Sequence, residues 1–139
     1  RKYRDMSERM GTGEHIHFLG PRPVERIGQY MAQADILVSP RTQGTNTPMK
    51  IYTYLDSGVA VLATRLPTHT QVMNDEIAML AAPRKEDYSG AMMELLSDDE
   101  LRDHLARNAR EYVRHEHSYD AFRERVHGLY AGLEKAAGH

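Results

Sequence analysis

The chain has 139 residues, of which 40% are hydrophobic and 27% charged, with a formal net charge of −2 and no cysteine. It is long enough for one compact domain with a real core. Near-neutral charge removes a general attraction to nucleic acid or anionic membrane, and the lack of cysteine removes disulfides and thiolate metal sites while fitting a reducing compartment.

In chain order, "RKYRDMSERM" sets Tyr3, Met6 and Met10 on one face of an amphipathic helix that ends near Gly11-Thr12-Gly13. "HIHFLG" (His15–Gly20) reads as a short strand. Alternation in that strand would put His15 and His17 on one face. Without a nearby third ligand they read as polar edge residues rather than a metal pair. Pro23 suits the first turn of a helix carrying Val24, Ile27 and Met31. "DILVSP" is a continuous apolar strand, as in a parallel sheet covered on both faces. Thr47 then caps a helix with Pro48 at its first position, closing on Gly58. "VAVLAT" (Val59–Thr64) is a third strand, a short helix spans 70–74, and "EIAMLAA" is a fourth strand.

The last third is helical. Residues 85–96 should bury Tyr88, Met92, Leu95 and Leu96, and Ser97 with Glu100 form a capping box for the next helix, which carries Leu101, Leu105 and Tyr112. Met73, Met79, Met92 and Met93 read as core filler. Ser118 is expected to cap a final helix with Phe122, Val126, Leu129 and Leu133, and His115-Glu116-His117 reads as solvated. Strands alternating with helices imply a Rossmann-like α/β domain with a parallel sheet flanked by helices. Such a sheet normally begins on a strand. A sequence opening on the helix is read as a fragment of a longer chain, its first strand upstream.

The loop "SPRTQGTNTPMK" carries the chemistry. In open α/β folds ligands sit beyond the carboxyl ends of the strands, where loops lead into helix N-termini. Gly44 lets backbone approach a ligand, and Thr42, Thr45 and Asn46 offer uncharged hydrogen bonds. Lys50 and Arg41 could face a phosphate. From spacing alone, an ordinary capped strand–loop–helix connection is the commoner reading, with Lys50 a solvated lysine.

"ADILVSPR…G…TPMKIYTYLDSGVAVLATRLPTHTQV" resembles the donor-binding half of retaining GT-B glycosyltransferases, specifically glycosyltransferase family 4, the "glycosyl transferases group 1" domain. "HIHFLG", "PVERIGQYMAQAD" and the run from Met73 to Val113 extend the likeness over nearly the whole chain. The resemblance implies a C-terminal domain of a two-domain chain, facing an N-terminal acceptor domain across a cleft. Gly44, Thr45, Asn46 and Thr47, with Lys50 and Arg41, would hold the sugar and diphosphate of a nucleotide-diphospho-sugar. Gly20 and Pro21 would border the nucleobase. Arg65 and His69 lie on the same sheet edge, and both read as structural.

Two departures from the family pattern stand out. Thr53 occupies the place of the carboxylate that grips the nucleotide ribose, since "KIYTYLDSG" stands where "KIYEYMASG" is expected. One Thr hydroxyl cannot accept from two vicinal hydroxyls as a carboxylate does. The second departure is the absence of the upstream basic pair and of the acceptor domain, so the isolated chain is expected to be inactive. No residue reads as a general base or nucleophile, and no metal or other cofactor is expected. The family's chemistry places the reaction in the cytoplasm, reaching the inner membrane surface through the acceptor domain, with no membrane span in this chain. Two alternatives remain at this point. One is a non-catalytic descendant used for protein contacts, and the other is an unrelated nucleotide-binding α/β domain.

Overall fold

The computed structural model describes residues 2–117, 123, 124 and 126–128. Apart from Val126, which is helical, the expected final helix (Ser118, Phe122, Leu129, Leu133) lies outside the described residues. The chain divides into two compact units, Arg1–Tyr30 and Met31–His139.

In the first unit, helix α1 (Lys2–Arg9) ends at Gly11, whose φ of +68° lies in the left-handed region open to glycine. The Gly11 amide donates to the Glu8 carbonyl and the Thr12 amide to that of Ser7, both at 3.0 Å, which closes the helix with a Schellman motif. The apolar side chains of this helix stay open, with Tyr3, Met6 and Met10 exposed to 70%, 44% and 59%. The expected strand at His15–Gly20 does not form. His15 ends a 3-10 turn (Gly13–His15), and 16–20 is irregular, with Ile16, Phe18 and Leu19 exposed. A strand exists only through ladder bonds to a neighbour, and this segment has none among the described residues. The alternation argument for His15 and His17 falls with it. Pro23 precedes a second 3-10 turn (Val24–Arg26), which leads into α2 (Ile27–Met31).

The second unit holds a parallel sheet of three strands, β1 (Ile36–Ser39), β2 (Ala60–Thr64) and β3 (Met79–Ala81), in the order β1-β2-β3. The register pairs Ile36 with Ala60 and Ser39 with Ala63 on one side of β2, and Leu62 with Met79 and Thr64 with Ala81 on the other. Only central β2 is buried along its whole length. Edge strand β1 exposes Val38, so the expected cover on both faces holds for β2 alone.

On one face, Leu37, Val61, Ala63 and Leu80 meet Ile51 and Leu55 of α3 (Lys50–Asp56) and Ala109 of α6 (Asp99–Glu116). On the other, Leu62 and Ala81 meet Leu95 of α5 (Lys85–Ser97) and Leu105 of α6. Tyr88 packs on this second group and donates its hydroxyl to the Leu62 carbonyl at 3.0 Å. Leu96 and Met93 face solvent instead of the core. Helix α6 is capped by Asp98, whose carboxylate accepts from the Leu101 amide at 2.8 Å, while the Ser97 hydroxyl donates back to the Glu94 carbonyl. The expected Ser97–Glu100 box is therefore displaced by one residue. A carboxylate at the cap also meets the helix dipole better than a hydroxyl does. His117 closes α6 and lies edge-on to Tyr52 and Tyr112, at centroid distances of 4.9 and 5.4 Å. His115 bonds its neighbour Glu116 at 3.2 Å.

Candidate functional site

The carboxyl ends of β1 and β2 are joined by a buried imidazole. His69 lies in α4 (Pro67–Thr70), the turn that follows β2, and neither it nor Ser39 has measurable exposure. The expected helix at 70–74 begins three residues earlier because Pro67 takes its first position, where a missing N–H costs nothing. His69 Nδ1 lies 2.7 Å from the Thr64 carbonyl, which can only accept, so Nδ1 carries the proton. Nε2 then has a free lone pair, and the Ser39 hydroxyl donates to it at 3.0 Å. The Thr64 hydroxyl adds a contact to Nδ1 at 3.2 Å. A serine hydroxyl on an imidazole Nε2 is also how nucleophiles are activated. Here full burial denies both groups a substrate, and the trio is a structural clasp. Burial above all lowers the His69 pKa. The Thr64 carbonyl opposes this, and the charges of Arg41 and Lys50 add to it.

Arg65, the other residue of this edge read as structural, binds Asp75 through two nitrogens at 3.1 and 2.5 Å and the Leu80 carbonyl at 3.1 Å.

Beyond the clasp, the loop from Pro40 to Met49 runs over the sheet edge with residues 42–46 exposed. Arg41, Gly44, Thr45, Asn46, Thr47 and Lys50, singled out from the sequence, share this loop and the start of α3. Arg41 Nη1 donates to the Asn46 carbonyl and to the Thr68 hydroxyl, each at 3.0 Å. The Thr68 hydroxyl donates to the same carbonyl at 2.6 Å, and Gln71 Nε2 donates to the Thr45 carbonyl at 3.1 Å. Gly44 has φ +123°, and a Cβ there would stand 3.1 Å from Arg41 Nη1. The backbone conformation demands glycine, and a Cβ would also make the Arg41 guanidinium shift.

The expected Thr47 cap is not made. Helix α3 starts at Lys50 with Met49 at its cap position, and the Thr47 hydroxyl reaches Gln71 Oε1 at 3.5 Å instead. The amides of Ile51 and Tyr52 close 3-10 bonds to the carbonyls of Pro48 and Met49, so that turn has fewer free N–H groups than a capped α-turn would offer. In the loop, by contrast, no acceptor among the described residues meets the amides of residues 42–47.

The electrostatics of this edge are positive. Lys50 lies 5.3 Å from the Tyr54 ring centroid, and its pKa is lowered first by partial desolvation and then by the charge of Arg41. Neither cation pairs with a carboxylate among the described residues. Thr53, one helical turn beyond Lys50, is exposed and uncharged. Gly20 (φ +67°) and Pro21 are exposed in the first unit. No group of three or more His, Asp or Glu that could hold a metal stands together among the described residues. No helix there is long and apolar enough to cross a membrane.

The profile of one family, described as "Glycosyl transferases group 1", matches residues 1–112. The chain belongs to this family.

No curated protein sequence matches this group 1 glycosyl transferase chain. Among solved structures, the sucrose-phosphate synthase (tll1590) of Thermosynechococcus elongatus superposes with a TM-score of 0.81 at 21% identity, covering 98% of this chain and 34% of its own. Anabaena Alr3699/HepE, solved in complex with UDP, gives 0.84 at 16% identity over 94% of this chain and 36% of that one. The C-terminal domain of the group 1 protein LpcC of Francisella tularensis gives 0.74 at 21% identity, over 85% and 62%. The fold is therefore that of one Rossmann-like half of a GT-B glycosyltransferase. The chain spans about a third of the length of the first two proteins. Family membership sets aside an unrelated nucleotide-binding domain.

Thr68 and Gln71 were not singled out from the sequence. Their signal was the spacing Thr-x-x-Gln directly after Pro67, which puts both on one face of a turn that follows a strand.

Proposed function

We propose that this chain supplies the nucleotide-sugar site of a retaining, hexosyltransferase-type glycosyltransferase, with the diphosphate held over the loop of residues 41–50. The observation that carries the proposal is the coincidence of unpaired amides and unpaired cations at the carboxyl edge of a parallel sheet. Lys50, whose proton affinity is lowered by partial desolvation and then by the charge of Arg41, gains from an anion placed beside it, and backbone N–H groups without acceptors can bond its oxygens. In this reading Lys50 and the loop amides touch the diphosphate. Arg41 keeps one nitrogen on the loop and turns its remaining N–H groups to the ligand. The protein's contribution to chemistry is then positioning and stabilisation of the leaving diphosphate, with no metal and no side-chain nucleophile required. The acceptor, whose hydroxyl attacks the sugar, would be held by an N-terminal acceptor domain, in the cytoplasm or at the inner membrane surface.

Calorimetry with UDP, GDP and ADP tests the proposal. It expects saturable binding of one of them, lost in Lys50→Met. Binding that is indifferent to Lys50 would count against it. A second reading, a non-catalytic descendant of the same domain used for protein contacts, is favoured by the uncharged and exposed Thr53 and Thr45, where many family members carry acidic residues. It expects no nucleotide response at all.

A further inference from the structure

We propose that Thr68 and Gln71 are positioning residues that aim two consecutive loop amides at the ligand; the inference rests on the diphosphate reading above. The Thr45 carbonyl is drawn to Gln71 Nε2, and the Asn46 carbonyl to Thr68 Oγ1 and Arg41 Nη1. Every peptide bond here is trans. In a trans peptide plane the C=O and N–H point in opposite directions. Tying those two carbonyls towards α4 therefore turns the N–H groups of Asn46 and Thr47 away from it, on the side where no protein acceptor meets them. Two successive amides facing the same way form an anion-binding concavity.

The tie is built for this task. The Thr68 hydroxyl is used both ways, donating to the Asn46 carbonyl and accepting from Arg41. Gln71 uses both ends of its amide, donating to the Thr45 carbonyl and accepting from the Thr47 hydroxyl. Both residues sit on the turn that holds His69, whose bonds to Ser39 and Thr64 fix it to two strand ends. A loop with no secondary structure of its own thus takes its orientation from buried, hydrogen-bonded residues at the ends of β1 and β2.

The test is titration of the protein and its Thr68→Val, Thr68→Ser and Gln71→Leu variants. The probes are inorganic pyrophosphate and the nucleoside diphosphates UDP, GDP and ADP, with Tm recorded alongside. Losing one carbonyl tether should weaken pyrophosphate and nucleotide binding about tenfold in Thr68→Val and in Gln71→Leu. Thr68→Ser, which keeps the hydroxyl, should bind within about twofold of the wild type. Gln71 is exposed, so Gln71→Leu should leave Tm unchanged. If the wild type binds and both Thr68→Val and Gln71→Leu bind equally well, the positioning role is wrong and the diphosphate site stands. A Gln71→Leu loss that follows a lowered Tm, or a Thr68→Val loss not rescued by serine, makes these residues merely structural and also overturns it. A wild type that binds none of the probes removes the diphosphate site and this inference together.

Discussion

Two regions at the same edge of the sheet satisfy their polar groups in opposite ways. In the clasp, Ser39, Thr64 and His69 are buried and every described polar group finds a protein partner. Three residues further along the chain from Ser39, the loop of residues 42–47 has its carbonyls at 45 and 46 tied down and its amides without acceptors among the described residues. Buried polar groups must be paired or they destabilise the fold, whereas exposed ones can be left to water until a ligand arrives. The clasp is therefore the part that stabilises, and the loop is the part that can bind.

Breaking the clasp should cost most. His69→Ala opens a cavity and leaves the Ser39 hydroxyl and the Thr64 carbonyl without their partner, a loss of about 3 kcal/mol by denaturant unfolding. The same residue gives the fold an acid limit. Folded His69 holds its proton less tightly than the unfolded chain does, whose histidine titrates near its usual value of about 6.5. The unfolded state therefore binds more protons over this range, and acidification favours unfolding. The His69 contribution should be complete above about pH 6.5 and decline as pH falls towards the lowered folded value. Stability measured against pH should show that slope in the wild type and a flatter one in His69→Gln.

The loop should respond in binding more than in stability. Gly44→Ala puts a side chain at φ +123° and a Cβ against Arg41 Nη1. That combination should pull the guanidinium off the Asn46 carbonyl at a local cost of about 1–3 kcal/mol. We expect roughly tenfold weaker nucleoside diphosphate binding, read by calorimetry, with a smaller fall in Tm than His69→Ala gives because the strain is confined to an exposed loop. A fall in Tm as large as that of His69→Ala would erase the contrast between the two regions.

How much of this was legible in the sequence follows from what each signal depends on. Strands β1, β2 and β3 were visible because apolar runs bounded by turn residues need little else to be recognised. The segment His15–Gly20 has the same look, but pairing is not a property of one segment. Helix starts slipped where a residue expected to cap found another partner, by one residue at α6 and by two at α3. Asp98 displaced Ser97, and Thr47 spent its hydroxyl on Gln71, a partner 24 residues away. The loop was singled out by its composition, and the structure brings Gly44, Thr45, Asn46, Arg41 and Lys50 together in the segment that leads into α3. The tethers from Thr68 and Gln71 were hidden, because bonds across 22 and 26 residues exist only once β1 and β2 lie side by side.

The smallest expected effect is at Thr53, where the loop's binding role meets its departure from the family pattern. Thr53 is exposed one turn beyond Lys50, and on the proposed nucleotide-sugar reading its single hydroxyl stands where a carboxylate would accept from two ribose hydroxyls at once. Charge-assisted bonds exceed neutral ones by about 1 kcal/mol, so Thr53→Glu should tighten nucleoside diphosphate binding roughly fivefold. The new carboxylate also lies near Lys50 and partly cancels the positive field there, which keeps the gain small. The comparison that isolates the ribose is with inorganic pyrophosphate. It has no hydroxyls to grip, so Thr53→Glu should bind it no better than the wild type and, through the added negative charge, somewhat worse. Equal gains for both ligands would mean that Thr53 acts through the loop rather than on the sugar. No gain for either would remove Thr53 from the nucleotide site.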